Sequence, residues 1–137
     1  MWAHKSRIKG CSKIGEGATF DLVKAQFKDV SLRWAENSDF PQVLGLIQEL
    51  AEFERAPQEV TVTVDQLIAD HAAGHFVCIL AEHPSMGILG MALCHKRYST
   101  WKGLTAHLED LIVKEAYRGQ GLGRQLLEAS MQWALSI

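Results

Sequence analysis

The stretch YRGQGLGR, Tyr117–Arg124, constrains this chain more than any other. It places Gly119, Gly121 and Gly123 between an apolar β-rich run, LTAHLEDLIV at 104–113, and a segment of helical spacing. That segment repeats Leu122, Leu126, Leu127, Ser130, Trp133 and Ala134 along one side. A strand, a glycine loop and a helix in succession aim the free N–H groups of a helix start at whatever the loop encloses, and they favour an anion there. Glycine admits left-handed dihedrals and lets backbone approach a ligand closely. Arg118 and Arg124 add cationic donors. The same glycines also suit a plain strand-to-helix turn, and spacing alone leaves both readings open. Two nucleotide loops are excluded. No Gly-Lys-Ser/Thr occurs, and the glycines fall two and two apart where a dinucleotide loop needs two and three. The pattern present is R-x-x-G-x-G, on Arg118, Gly121 and Gly123.

The rest of the chain supplies the elements such a loop needs. VSLRWA from Val30 predicts a strand. ENSDFP then predicts a helix start, with Asn37 or Ser38 as cap and Asp39 and Pro41 in the first turn. Phe40, Val43, Leu44, Ile47, Leu50 and Ala51 carry that helix to about Arg55, short of Pro57. Thr63 to Gln66 has capping-box spacing and opens a second helix that ends near Gly74. Two apolar runs, Phe76 to Glu82 and Ile88 to Tyr98, flank the turn HPSMG and predict an antiparallel hairpin. The order is strand, helix, helix, three strands, glycine loop, helix, an α/β arrangement. Residues 1–29 are basic and without clear periodicity. They are expected to be an extension, with a short helical turn at Phe20 to Phe27.

At 137 residues the chain is one domain, expected over residues 30–137. A formal net charge of −2 gives no basic surface for nucleic acid, so none is expected as a partner. No apolar run approaches the roughly 20 residues of a membrane helix, and no membrane association is expected. Cys11, Cys78 and Cys94 are too scattered for a disulfide framework or a thiolate zinc site. Cys78 and Cys94 sit in apolar runs as core residues, which fits a reducing compartment and a cytoplasmic location. The histidines are scattered, with His71 and His75 a weak pair four apart. They are expected as surface or capping residues and no metal is predicted.

The segment LEDLIVKEAYRGQGLGRQLLEAS resembles the acetyl-CoA-binding motif of the GNAT superfamily of N-acetyltransferases, and the resemblance extends over about Val30 to Ile137. Within that superfamily, LIQELAEFE, YSTWKG and HLEDLIV resemble the diamine (spermidine/spermine and thialysine) acetyltransferase group. The resemblance implies a GNAT-like mixed sheet with flanking helices. It implies transfer of the acetyl group of acetyl-CoA to a primary amine, a small diamine or amino-acid-like molecule, by direct attack on the thioester.

It also implies residue roles. Backbone groups of Arg118, Gly119, Gln120, Gly121, Leu122, Gly123 and Arg124 would hold the pyrophosphate. Backbone groups of Leu111, Ile112 and Val113 would pair with the pantetheine, one N–H stabilising the developing oxyanion. Those three side chains are also ordinary core residues. Glu109, a carboxylate in an otherwise apolar strand, is the implied base, acting through a water. Asp110 is adjacent and is expected on the opposite face. Phe53, Glu54, Trp101 and Asp110 match substrate-binding positions, since acidic and aromatic groups suit a cationic amine. Glu54 also reads as a solvated helix-end charge. Where relatives often carry an acid after the tyrosine of YSTWKG, this chain has Ser99, which weakens the case for a true polyamine.

Relatives continue past the motif helix with a strand, a helix and a final strand pair, so the resemblance is to an incomplete domain. The tyrosine thought to protonate the thiolate is matched by neither Tyr98 nor Tyr117. An exposed edge on the last strand favours pairing, and a homodimer is expected. Two other readings stay open from sequence: a non-catalytic acyl-CoA-binding or interaction module, and an unrelated α/β domain.

Overall fold

A computed structural model describes residues 29–137. The helical turn expected at Phe20 to Phe27, and all of the expected 1–29 extension but Asp29, lie outside the described residues. Strand β1 (Ser31–Trp34) leads to helix α1 (Phe40–Phe53) and helix α2 (Val64–Ala72). Strands β2 (Val77–His83), β3 (Gly87–Ser99) and β4 (Gly103–Val113) follow, and helix α3 (Leu122–Ser136) comes last. The four strands form one sheet in the order β1-β2-β3-β4, every neighbouring pair antiparallel.

The sheet is covered on both faces. Leu122, Leu126, Ala129 and Trp133 of α3 pack on Val77, Ile79, Ala92, Cys94 and Leu108. Phe40, Val43 and Leu46 of α1, with Leu67 of α2, pack on Cys78, Leu80, Met91 and Ile112. The alternation of strand side chains thus feeds two cores, and β2 and β3 as far as Cys94 read as near-continuous apolar runs because neither face meets water there.

Local chemistry sets the boundaries. Thr63 caps α2 through a reciprocal box, its hydroxyl accepting from the Gln66 N–H while the Gln66 side chain accepts from the Thr63 N–H. The start of α1 differs from the expected cap. A 3-10 turn at Asn37–Asp39 precedes it, and Asp39 is its N-cap. The Asp39 carboxylate is engaged by Arg33 of β1 through two bonds of 2.8 Å and by the Glu36 N–H at 2.7 Å. The helix stops at Phe53 because the chain turns left-handed at Arg55, φ 59°, two residues before Pro57.

Two register shifts bend the sheet, one opposite Ala81/Glu82 and one opposite Leu93/Cys94. In the second, Leu93 pairs with Asp110 and Cys94 with Leu108, so Glu109 is the extra residue of a β-bulge in β4.

Candidate active site

The bulge decides where the two carboxylates go. Leu108 lies in the α3 core, while Ile112 lies in the α1/α2 core. The strand has exchanged faces between them, and it does so at Glu109. The expectation that Asp110 would point away from Glu109 is therefore corrected: strict alternation fails where one strand carries an unpaired residue. Both carboxylates line a cleft of about 360 Å³ between α1, the segment after it and β4. Glu54 and Glu59 complete its acidic lining, with Ile47, Leu50 and Val62 as apolar wall. Burial, followed by the charges of Glu109 and Glu54, pushes Asp110 up to about 6.

Glu109 has close partners. Its Oε2 lies 3.3 Å from His95 Nε2 and 3.1 Å from His107 Nε2. His95 and His107 are direct cross-strand neighbours on β3 and β4, their ring centroids 4.8 Å apart. His95 Nδ1 lies 3.2 Å from the Lys96 carbonyl. The expectation that the histidines are only surface or capping residues holds for His83, whose Nδ1 accepts from the N–H groups of Ser85 and Met86. It fails for His95 and His107, which bracket Glu109; His71, half-buried in the last turn of α2, also packs against Phe40 and Phe76.

A second cleft, about 260 Å³, is lined by Leu111, Val113, Tyr117, Arg118, Gly119, Gly121, Leu122 and Gly123. The glycine loop here has the geometry expected of a backbone anion cradle. Gly119 and Gly121 take φ of 78° and 83°, a region that L side chains rarely adopt. Gly121 is the N-cap of α3, and the first helical bond runs from the Gln125 N–H to its carbonyl. The N–H groups of Leu122, Gly123 and Arg124 precede that bond and point out of the helix start. A β-carbon on Gly119 would meet open space, so it is the dihedral that calls for glycine there.

β4 is the last strand of the sheet, and its outer edge borders this second cleft. The Lys114 N–H bonds to Leu89 on β3. Alternate residues then turn their backbone groups outward, which exposes those of Leu111 and Val113. The Val113 carbonyl accepts from Arg118 Nε at 2.9 Å. Arg118 is thus a brace between loop and strand, and its guanidinium also lies 5.8 Å over the Phe53 ring. Arg124 pairs with Glu128 one turn along α3. Gln120 is exposed at the loop tip.

The predicted substrate residues are only partly brought together. Glu54 and Asp110 share the acidic cleft. Phe53 is 74% exposed beneath Arg118, and Trp101 is 93% exposed in the β3–β4 turn; neither lines either cleft. Ser99 closes that turn, its Oγ accepting from the N–H groups of Trp101 and Lys102.

The Acetyltransferase (GNAT) family matches residues 31–137. A thialysine N-epsilon-acetyltransferase of Bos taurus is 36% identical over 115 residues, covering 77% of this chain and 68% of that protein. A human spermidine/spermine N(1)-acetyltransferase-like protein 1 is 34% identical over 113 residues, 77% of this chain and 16% of that protein. The crystal structure of a Trypanosoma brucei acetyltransferase superposes with a TM-score of 0.60 at 31% identity, covering 76% of this chain and 73% of that one. The chain belongs to the GNAT acetyltransferase family. It is an acetyl-CoA-dependent N-acetyltransferase by that membership, and the reading of an unrelated α/β domain is set aside.

Proposed function

We propose that this chain acetylates a small cationic amine, a diamine or an amino-acid-like molecule with a side-chain amine. The observation that carries this is the acidic cleft: Glu54, Glu59, Glu109 and Asp110 line one pocket on the opposite side of β4 from the glycine loop. An ammonium group is drawn to such a site by charge, and the apolar wall of Ile47, Leu50 and Val62 suits a methylene chain. Thialysine, named in the Bos taurus relative, has this character.

The residues of the loop fit a coenzyme A pyrophosphate, because positive-φ glycines and free helix-start amides meet at one cleft. When bound there, acetyl-CoA would supply the thioester carbonyl that the amine attacks; the C–S bond would break and the CoA thiolate would leave, taking its proton from solvent. Amides of Gly121 to Arg124 hold the phosphates. The outward backbone of Leu111 and Val113 aligns the pantetheine arm, and one N–H of β4 stabilises developing negative charge. Glu109, held out of the strand ladder by its bulge, removes the amine proton, directly or through a water. Asp110 and Glu54 keep the other cationic end of the substrate in place.

The test is release of free thiol from acetyl-CoA against a panel of amines, run with a chelator present. Thialysine, lysine and short diamines should turn over, and amino sugars, whose ammonium sits on a hydroxylated ring with no methylene chain, should not. Glu109→Gln should lower turnover by roughly 10²-fold, with a defect that lessens as pH rises and the amine deprotonates unaided. Equal rates for diamines and amino sugars would remove the acidic cleft from recognition. We also read the protein as cytoplasmic, supported by the free buried thiols of Cys78 and Cys94, and as a homodimer, supported by the outer edge of β4 at residues 103–108, short of the part given to the pantetheine arm. No helix among the described residues is long and apolar enough to cross a membrane. Sedimentation tests the dimer.

A further inference from the structure

We propose that His95, His107 and Glu109 form a three-ligand site for a divalent transition cation of the zinc type. The two imidazoles come from directly paired positions of β3 and β4, and the carboxylate from the bulge beside them. Three ligand atoms, one from each residue, all lie within 4.8 Å of one another. Nitrogen and oxygen ligands at about 2.1 Å from a tetrahedral zinc stand roughly 3.4 Å apart. The two contacts to Glu109, 3.3 and 3.1 Å, already have this spacing.

The ring orientation fits the same reading: His95 Nδ1 lies 3.2 Å from the Lys96 carbonyl, which can only accept, and the other nitrogen, Nε2, is the one turned to Glu109. A hydrogen bond from the far ring nitrogen to a carbonyl is also the usual way a metal-bound histidine is oriented. The side chains are 31%, 14% and 40% exposed, which leaves room for water in the remaining positions and a route in for the ion. Two histidines and one carboxylate suit zinc, cobalt or nickel better than magnesium or calcium, which prefer all-oxygen sites.

A bound cation would occupy the lone pairs of Glu109 and bring positive charge into the acidic cleft. It would therefore slow acetyl transfer and compete with a cationic amine. This consequence rests on Glu109 being the base; the metal site does not.

The experiment is a titration of the metal-stripped full-length protein with Co²⁺, followed by its visible absorption, with Zn²⁺ as competitor. One saturable site at micromolar Co²⁺ is expected, displaced by Zn²⁺. His95→Ala and His107→Ala should each weaken it about tenfold or more, and His75→Ala should leave it unchanged. His95→Gln serves if the alanine variant fails to fold, as judged by circular dichroism. Undiminished uptake in the folded His95→Ala/His107→Ala protein, or a thiolate-to-cobalt band showing cysteine ligation, overturns the site. So does the lack of saturable uptake, which would mean that a proton alone bridges His95 and Glu109. Binding that follows these variants while turnover is insensitive to Zn²⁺ supports the site and counts against Glu109 as the base.

Discussion

The carbonyl oxygen of Ile112 lies 2.7 Å from the point where a β-carbon on Gly90 would stand. β3 and β4 approach at Gly90 as only a glycine permits, and the Leu126 side chain of α3 closes the space from above at 3.3 Å. Gly90→Ala must push the strands apart just where β4 turns its edge to the glycine loop. A loss of about 1–3 kcal/mol is expected, the usual range for overpacking, together with weaker acetyl-CoA binding. Chemical denaturation and calorimetric titration of the one variant check both; unchanged stability would mean that the strands can separate freely.

Arg33 ties β1 to the start of α1 and to β2 by gripping Asp39 and Glu82 together. The guanidinium holds the Asp39 carboxyl below the usual carboxylate range. A depressed folded-state value means the unfolded chain binds the proton more readily, so this contribution is present above about pH 4 and is lost as pH falls below it. Asp39→Asn should cost roughly 2–3 kcal/mol at pH 7, typical of a lost charge-assisted bond, and should cost less in acid. Urea midpoints at pH 7 and pH 3 measure the difference.

The fold was legible in the sequence to the extent that periodicity and turn chemistry were strong. The Thr63–Gln66 box, the HPSMG turn and the stripe from Leu122 to Trp133 each located an element within a residue or two. The start of α1 was harder, because Asp39 answers to Arg33 as well as to the helix, and that partner is remote in sequence.

Of the candidate site, the placing of the glycine loop between β4 and α3 was legible, and the surroundings of Glu109 were less so. A bulge leaves little trace in composition, and alternation carried across Glu109 puts Asp110 on the wrong face. The histidine pair had a usable signal. Ser99 and Gly103 close the β3–β4 turn, and counting back from them sets His95 opposite His107. That count requires knowing that STWKG is a tight hairpin, which its composition alone does not establish. Glu59 lies in a 3-10 turn, where helical and strand periods say nothing about direction.

Asp110 moves stability in the opposite sense to Asp39. Its folded-state value of about 6 lies above the ordinary 3.8, so the native state holds a proton that the unfolded chain has released. Its own contribution to stability is full below about pH 4, declines as pH rises toward 6, and stays reduced above it. Asp110→Asn should remove that decline and raise the melting temperature at pH 7, while weakening binding of the cationic amine. The amine-binding role proposed for Asp110, kept at a cost to the fold, predicts this pairing. A melting temperature that falls at pH 7 would instead make Asp110 a structural partner.

Gly121→Val tests whether the loop is a phosphate cradle. The residue is at φ 83° and is the N-cap of α3, so a β-branched side chain meets the wrong dihedral at the point where the helix-start amides are aimed. Two effects are expected and they separate. The strain should lower stability by about 1–2 kcal/mol, the cost of a left-handed non-glycine residue, with the fold retained because the α3 core contacts begin at Leu122 and run to Trp133. Acetyl-CoA affinity should fall much further than that strain alone explains, because the redirected amides no longer converge and the new side chain stands where phosphate would lie. Calorimetric titration with acetyl-CoA and with 3′-dephospho-acetyl-CoA should show the same loss for both, since the pyrophosphate is common to them. Arg124→Ala is the companion variant. Its guanidinium is engaged by Glu128 and its contribution to the loop is the backbone N–H, so affinity should change little. A Gly121→Val protein that binds acetyl-CoA as tightly as the parent would show that the glycines serve only the turn.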